Sequence, residues 1–484
     1  VSRPALAAPA EPQLSAATLL GIAAAALLVG GLVAVAPLAG VLVAALAVAG
    51  LLLFLPDYAL WFLVLLTPLT SGVRRIGPLR PNELLLLGCA AVIAVALVRR
   101  GRLSIDRRLD PAILFFLCFA SVVPLAAYIA RGGPISTAIA PYIAPWQYYI
   151  MFRLTAGLVR SDRWARRLLQ ALLLAGAVLA VVSVLQALRV GPVPRLLATY
   201  TPSAHLDLIE RIGYRRTTSL LGNWHGAGVY YAFCLTTLAA GWALGRRLFP
   251  PLVALGLAGL LALALLSTNS FTAAAVAAGG VAVVAFCSGR LRSRRLWAGL
   301  AALGAVAAVA GFVLRDYIGE QIAFQFSDFA YGYGYVERAI PFLPRTVANR
   351  MLSWYDQFGP VIRANWLFGY GPELPDVGAQ SDDSQYIYAL LKGGVLYLVA
   401  FLLLMVALLR CTWRRFRQAA PGSWDELVHL LGFTLLLVMQ PAFFLQAYLT
   451  YSGVAEFLWV VIALGSGLAL ARPAPAGAPA PAET

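Results

Sequence analysis

The stretch QYIYALLKGGVLYLVAFLLLMVALL, residues 385–409, carries one charged side chain, Lys392, in 25 positions. An apolar run of about 18 residues or more can cross a bilayer as a helix, and such runs recur from end to end of the 484-residue chain. Residues AVILMFWYC make up 61% of the sequence and only 12% is charged, so the pattern predicts an all-α polytopic membrane protein. Working outward from 385–409, spans are expected at 15–35, 38–55, 57–71, 82–98, 111–130, 140–158, 166–189, 222–244, 249–267, 271–288, 296–314, 426–447 and 453–471. Fourteen spans put both termini on one side.

The rest of the chain sorts around these spans. Residues 1–14 and 472–484 are Pro/Ala-rich and are expected to be disordered. The first apolar run leads directly into a second, which predicts no cleavable signal peptide. Spans one to eleven occupy 15–314 and include a polar loop at 190–221. A long polar loop fills 315–384, and three spans follow over 385–471. The five cysteines, Cys89, Cys118, Cys234, Cys287 and Cys411, show no short spacing, so neither a disulfide framework nor a zinc site is expected.

The formal charge of +16 raises the question of nucleic acid. The arginines fall mainly in short loops between apolar runs, as orientation signals do, and no soluble basic domain is present to hold a nucleic acid. Arg99, Arg100, Arg102, Arg107 and Arg108, then Arg160, Arg163, Arg166 and Arg167, then Arg246 and Arg247, thread to one side. The groups at 290–295 and 410–417 thread to that side too, and it is predicted to be cytoplasmic. The loops 190–221 and 315–384 then face the extracytoplasmic side.

Those two loops still carry Arg215, Arg216, Arg338, Arg350 and Arg363, and the outward loop after span 111–130 carries Arg131. A guanidinium makes bidentate hydrogen bonds to phosphate oxygens and keeps its proton. Lipid headgroups would satisfy the same charges. In the long loop, Val347, Met351, Trp354, Tyr355, Phe358 and Ile362 recur near helical spacing and predict an amphipathic helix on the membrane surface, broken or bent at Gly359-Pro360. The run Phe329-Ala330-Tyr331-Gly332-Tyr333-Gly334-Tyr335 offers flat rings for sugar stacking or for an interfacial aromatic belt.

Four segments together resemble the O-antigen ligase and polymerase family of bacterial membrane glycosyltransferases. They are Arg215-Arg216-Thr217-Thr218-Ser219-Leu220-Leu221-Gly222-Asn223-Trp224-His225-Gly226, with Trp224 and His225 where the family has Pro-Asn, and Leu266-Ser267-Thr268-Asn269-Ser270-Phe271, with Phe271 where an Arg is usual. The third joins Arg350-Met351-Leu352-Ser353-Trp354 to Leu367-Phe368-Gly369-Tyr370-Gly371-Pro372. The fourth is Asp383-Ser384-Gln385-Tyr386 running into Leu390-Leu391-Lys392-Gly393-Gly394, with Asp383 at the position of the His that ligases use.

The resemblance covers about residues 165–410 and implies a GT-C type fold in the bacterial inner membrane. It implies a polyprenyl-diphosphate-linked glycan as donor, with an acceptor that is a second lipid-linked oligosaccharide for a polymerase or lipid A core for a ligase. Asp383 in place of His points toward the polymerase, for which a chain-length regulator protein is a further expected partner beside membrane lipids.

A diphosphate leaves readily once its charge is neutralised, a task suited to Arg215, Arg216, Arg350 and Arg338. The acceptor hydroxyl needs a base, for which Asp383, Asp382 and, secondarily, His225 are the candidates. Tyr386, Trp354, Tyr333 and Glu373 are candidate glycan contacts. Asp382, Asp383 and Ser384 can alternatively serve as the N-terminal cap of the twelfth span, and His225 can be a packed side chain. No cofactor is expected; the acidic residues show no dedicated metal-ligand pattern, and a divalent cation on the diphosphate stays open. A flippase or transporter is the rival from another class, but it would carry ionisable groups mid-span, where this sequence has few.

Overall fold

The computed structural model describes residues 55–74, 81–99, 106–202, 216–289, 345–372 and 384–471, with single positions at 304, 315, 319 and 323. Among the described residues all regular structure is helical. In chain order the helices are α1 (Pro56–Thr70), α2 (Pro81–Arg99), α3 (Leu109–Ala130), α4 (Ile135–Leu158), α5 (Asp162–Ala187), α6 (Val193–Tyr200), α7 (Trp224–Leu244), α8 (Pro251–Thr268), α9 (Phe271–Cys287), α10 (Arg345–Ser353), α11 (Gln385–Gln418), α12 (Trp424–Leu445) and α13 (Val454–Ala471). Seven of them, α3, α5, α7, α8, α11, α12 and α13, are long and apolar enough to cross a membrane. The chain is a multi-pass helical membrane protein. Eleven predicted spans coincide with α1 to α5, α7 to α9 and α11 to α13; the segments 15–35, 38–55 and 296–314 fall, but for Leu55 and Gly304, outside the described residues.

Local chemistry sets the boundaries. The Asn223 side chain accepts from the amides of His225 and Gly226 and starts α7, and Gly245 ends it in the left-handed conformation. Pro250 and Pro251 open α8, Asn269 closes it at φ 52°, and the Ser270 hydroxyl accepts from Ala273 N to start α9. Helix α7 is the axis of the bundle: 94% of its apolar window is buried, against α5, α8, α9, α12 and α13. Small residues allow that closeness, since a Cβ at Gly280 of α9 would lie 2.3 Å from the Thr236 hydroxyl.

One end of the bundle is closed by buried ion pairs. Arg415 of α11 donates to Asp106 at 2.7 Å, and Ser466 of α13 donates to the same carboxylate oxygen at 2.6 Å. Arg153 of α4 and the Tyr149 hydroxyl bind Asp110 at 2.9 and 2.8 Å. Arg166 and Gln170 reach the Leu248 carbonyl between α7 and α8, and Arg167 stands against Tyr58 at the start of α1. The described members of the sequence's short-loop arginine groups that make these contacts therefore gather at this one end. Burial alone would raise the Asp106 pKa, but the Arg415 guanidinium, the Ser466 hydroxyl and the Arg108 amide outweigh it and hold the carboxyl below its usual range.

The 385–409 stretch departs from a single straight span. A straight helix would hold Tyr386 and Phe401, fifteen positions apart, about 22 Å from each other, yet their ring centroids are 5.9 Å apart. The chain doubles back at Gly394, whose φ of 68° and ψ of −164° lie in a region essentially reserved for glycine. A short arm, 385–393, thus meets the long helical segment 395–418 at an elbow.

The elbow breaks the helical ladder, and the long loop repairs it. Tyr370 N donates to Leu391 O at 2.7 Å, Gly371 N to Lys392 O at 3.0 Å, and Val395 N to Trp366 O at 2.8 Å. The backbones meet so closely that a Cβ at Gly394 would lie 2.3 Å from the Leu367 carbonyl. Two predictions follow from these contacts. Gly394→Ala should cost about 3 kcal/mol or more through strain and clash, read as a lower thermal midpoint in detergent. Arg415→Met strands a buried carboxylate and should cost about 3 kcal/mol at neutral pH. Wild-type Asp106 contributes stability above its unfolded pKa and loses it on acidification, whereas the stranded carboxyl binds a proton more readily. The deficit should therefore shrink as pH falls, and a gap that widens would contradict the assignment.

Candidate functional site

At the opposite end of the bundle the start of α7 carries three of the sequence candidates or their neighbours. The Arg216 guanidinium lies over the Trp224 ring at 4.9 Å, and that ring is 5.5 Å from the His225 imidazole. The Asn223 cap fixes His225, because its carboxamide oxygen accepts from His225 N at 2.8 Å. Gln186 of α5 holds the preceding turn by accepting from Thr218 N and Ser219 N at 3.0 and 3.1 Å.

The segments resembling one family come together in pairs. Thr217 N donates to Ser267 O at 3.2 Å and their hydroxyls are 2.9 Å apart, which ties 216–226 to 266–271. Phe271, where the family has an Arg, is exposed. The elbow contacts above tie 366–371 to 391–395. Sequence spacing alone did not reveal either pairing.

A connector between α12 and α13, residues 446–453, bridges these pairs. Tyr448 is fully buried and its ring is 5.8 Å from that of Tyr451. Gln446 donates to the Tyr451 hydroxyl, and Leu449 N donates to the Gln385 side chain at 3.2 Å. A Cβ at Gly226 would meet Tyr451 at 3.7 Å, so the connector also abuts the start of α7. Burial and Tyr451 push the Tyr448 phenol up, while the Arg350 charge and the nearby Thr272 and Ser270 side chains pull it back. Arg350 therefore stands within electrostatic reach of the connector.

Helix α10 places Arg350 there. Of the break or bend expected at Gly359-Pro360, no break occurs: α10 widens into a π-helical turn, Trp354–Phe358, and continues as the helix Gly359–Ala364 with Pro360 in its first turn. Proline is tolerated there because its missing N–H has no partner to lose. Trp354 stands edge-on to Phe444 of α12 at 5.0 Å and 89°, which docks the segment on the bundle. Tyr386 flanks the same ring at 6.4 Å, and its hydroxyl donates to Gln440 O at 3.1 Å. The Tyr386 hydroxyl is thus engaged by the protein.

Arg216, His225, Arg350, Trp354 and Tyr386 accordingly share one end of the bundle. Asp382, Asp383, Arg215, Arg338, Tyr333 and Glu373 lie outside the described residues. Ser384, the third of the expected capping residues, sits at the start of α11, yet its hydroxyl donates to Phe443 O at 3.4 Å instead of capping its own helix. Arg131 has a structural role, donating to Gly369 O at 2.9 Å. Among the described residues no group of three or more His, Cys, Asp or Glu could hold a metal ion.

Tyr448, Tyr451, Gln446 and Gln385 were missed by the sequence reading. The signal was present in the polar and aromatic run Gln446-Ala447-Tyr448-Leu449-Thr450-Tyr451-Ser452-Gly453, which is too short to read as a loop of its own. No protein-family model matches the chain, and no curated protein matches it significantly. Trp354→Ala should loosen α10 by about 1 kcal/mol or more and speed tryptic cleavage after Arg350, whereas Trp354→Phe should keep the wild-type rate.

Proposed function

We propose that this protein is a membrane glycosyltransferase that polymerises undecaprenyl-diphosphate-linked oligosaccharide repeat units into O-antigen or exopolysaccharide. The observation that carries the reading is the convergence of Arg216 and Arg350, from elements far apart in sequence, on one end of the bundle beside Trp224, Trp354 and Tyr386. Arginines neutralise a departing diphosphate, and aromatic faces accept sugar rings. Asp383, one residue before Ser384, is the proposed base for the acceptor hydroxyl, with His225 as second candidate. The ion pairs Arg153–Asp110 and Arg415–Asp106 lie near the other end, away from the proposed site, which supports an enzyme over a pump.

In this reading the chain has fourteen spans in a GT-C type arrangement in the bacterial inner membrane, with both termini cytoplasmic and the site extracytoplasmic. The acceptor is a second lipid-linked oligosaccharide, and a chain-length regulator is a partner. The test incubates purified, reconstituted protein with a defined lipid-diphosphate repeat unit, with and without lipid A core. Longer lipid-linked chains support the polymerase. Transfer to core would reassign it as a ligase, and movement across the bilayer without elongation would make it a flippase. Arg350→Ala and Arg216→Ala should each lower elongation by about 100-fold, and unchanged elongation by Asp383→Asn would remove that residue from its role as base.

A further inference from the structure

Lys392 is the only lysine in a chain that otherwise uses arginine for every strong cation. It sits at the elbow and donates to Pro372 O at 2.7 Å, with its ammonium 5.8 Å from the Tyr388 ring. From α3, Arg131 donates to Gly369 O at 2.9 Å. Two cations on two elements thus grip both ends of the four-residue loop piece 369–372, between whose carbonyls lie the two amides, Tyr370 and Gly371, that repair the elbow. An ammonium is a compact donor with three rotatable N–H bonds, whereas a guanidinium is a planar fork. Beside closely packed glycine backbone, the compact donor reaches the Pro372 carbonyl.

We propose that Lys392 and Arg131 are positioning residues for the transfer reaction. By holding 369–372 in the elbow they fix the angle of arm 385–393, and so hold Tyr386 against Phe444 alongside Trp354 and Arg350. The inference rests on the transferase reading above. The clamp itself does not touch the glycan or diphosphate; it sets where the arm stands. Displacement of a reacting constellation by about 1 Å costs up to about 100-fold in rate.

The test compares Lys392→Met, Lys392→Arg, Arg131→Gln and the double variant Lys392→Met/Arg131→Gln in the reconstituted elongation assay, together with hydrogen exchange of the full-length protein. Lys392→Met should lower turnover by about 10- to 100-fold with donor KM changed by no more than about twofold. Lys392→Arg should not restore it, and the double variant should be no slower than the worse single one, because both act through one loop piece. Exchange should rise at 366–372 and 391–395 while α7 stays protected. A raised donor KM that Lys392→Arg repairs would mean direct diphosphate binding and overturn the proposal, as would wild-type turnover in Lys392→Met. If wild-type protein transfers no glycan, the transferase reading falls by itself; unchanged exchange at 366–372 in Lys392→Met would then overturn the clamp independently.

Discussion

A helix in an apolar environment cannot leave backbone amides and carbonyls without partners, since each unsatisfied group costs several kcal/mol. The break at Gly394 creates such orphans on both sides, and the backbone of 366–371 supplies their partners. Much of the organisation at the end opposite Arg415 follows from that repair. The loop must return to the bundle, so the helix preceding it, α10, is held close enough for Trp354 to find Phe444. The arm must double back, so Tyr386 reaches the same ring. A straight α11 would carry the start of the helix away from α12 and dissolve the grouping.

The two ends of the bundle solve different problems. At the Arg415 end, cations meet carboxylates across α3, α4 and α11, and a hydroxyl from α13 completes the set. Buried pairs of this sort add little net stability, because desolvation offsets their attraction. They do penalise any register in which a partner is lost, and this fixes how the helices stand. The other end can then be assembled from loops, a short connector and a broken helix without loosening the frame. Its central support is α7, enclosed by five neighbours and capped where Arg216, Trp224 and His225 emerge.

Helical class and most span positions were readable because a bilayer demands long apolar runs, and those runs are unmistakable at 224–244 or 454–471. The elbow was not readable as such. Lys392-Gly393-Gly394 sits within an apolar run whose mean hydropathy is high on both sides, so periodicity carries straight through it. What distinguishes it is tertiary: Gly394 must admit the backbone at 367–368 and Gly369 must approach the amides of Gly393 and Gly394, and nothing in the 385–409 stretch announces that visitor. Gly359-Pro360 misled in the opposite direction. The pair looks like a stop, but a π-helical turn immediately before it resets the hydrogen-bond ladder, and proline then falls where a helix may begin. The connector 446–453 was hidden by its brevity, and only packing reveals that it meets the start of α7 through Tyr451 and the start of α11 through Leu449.

The stacking of Arg216 on Trp224 bears on why arginine suits this end. A guanidinium over an indole uses its face, whereas its hydrogen bonds to oxygen lie in its plane, so holding the group and binding an anion with it do not compete. An ammonium has no such division, since its attraction to a ring and its donation to oxygen draw on the same N–H bonds. At the elbow, Lys392 donates to the Pro372 carbonyl beside the Tyr388 ring. The chain's one departure from arginine thus coincides with the elbow. Arg216 is such a stacked cation, held over the Trp224 indole at the start of α7. Cation type separates the group that sets the geometry from the group proposed to face the substrate.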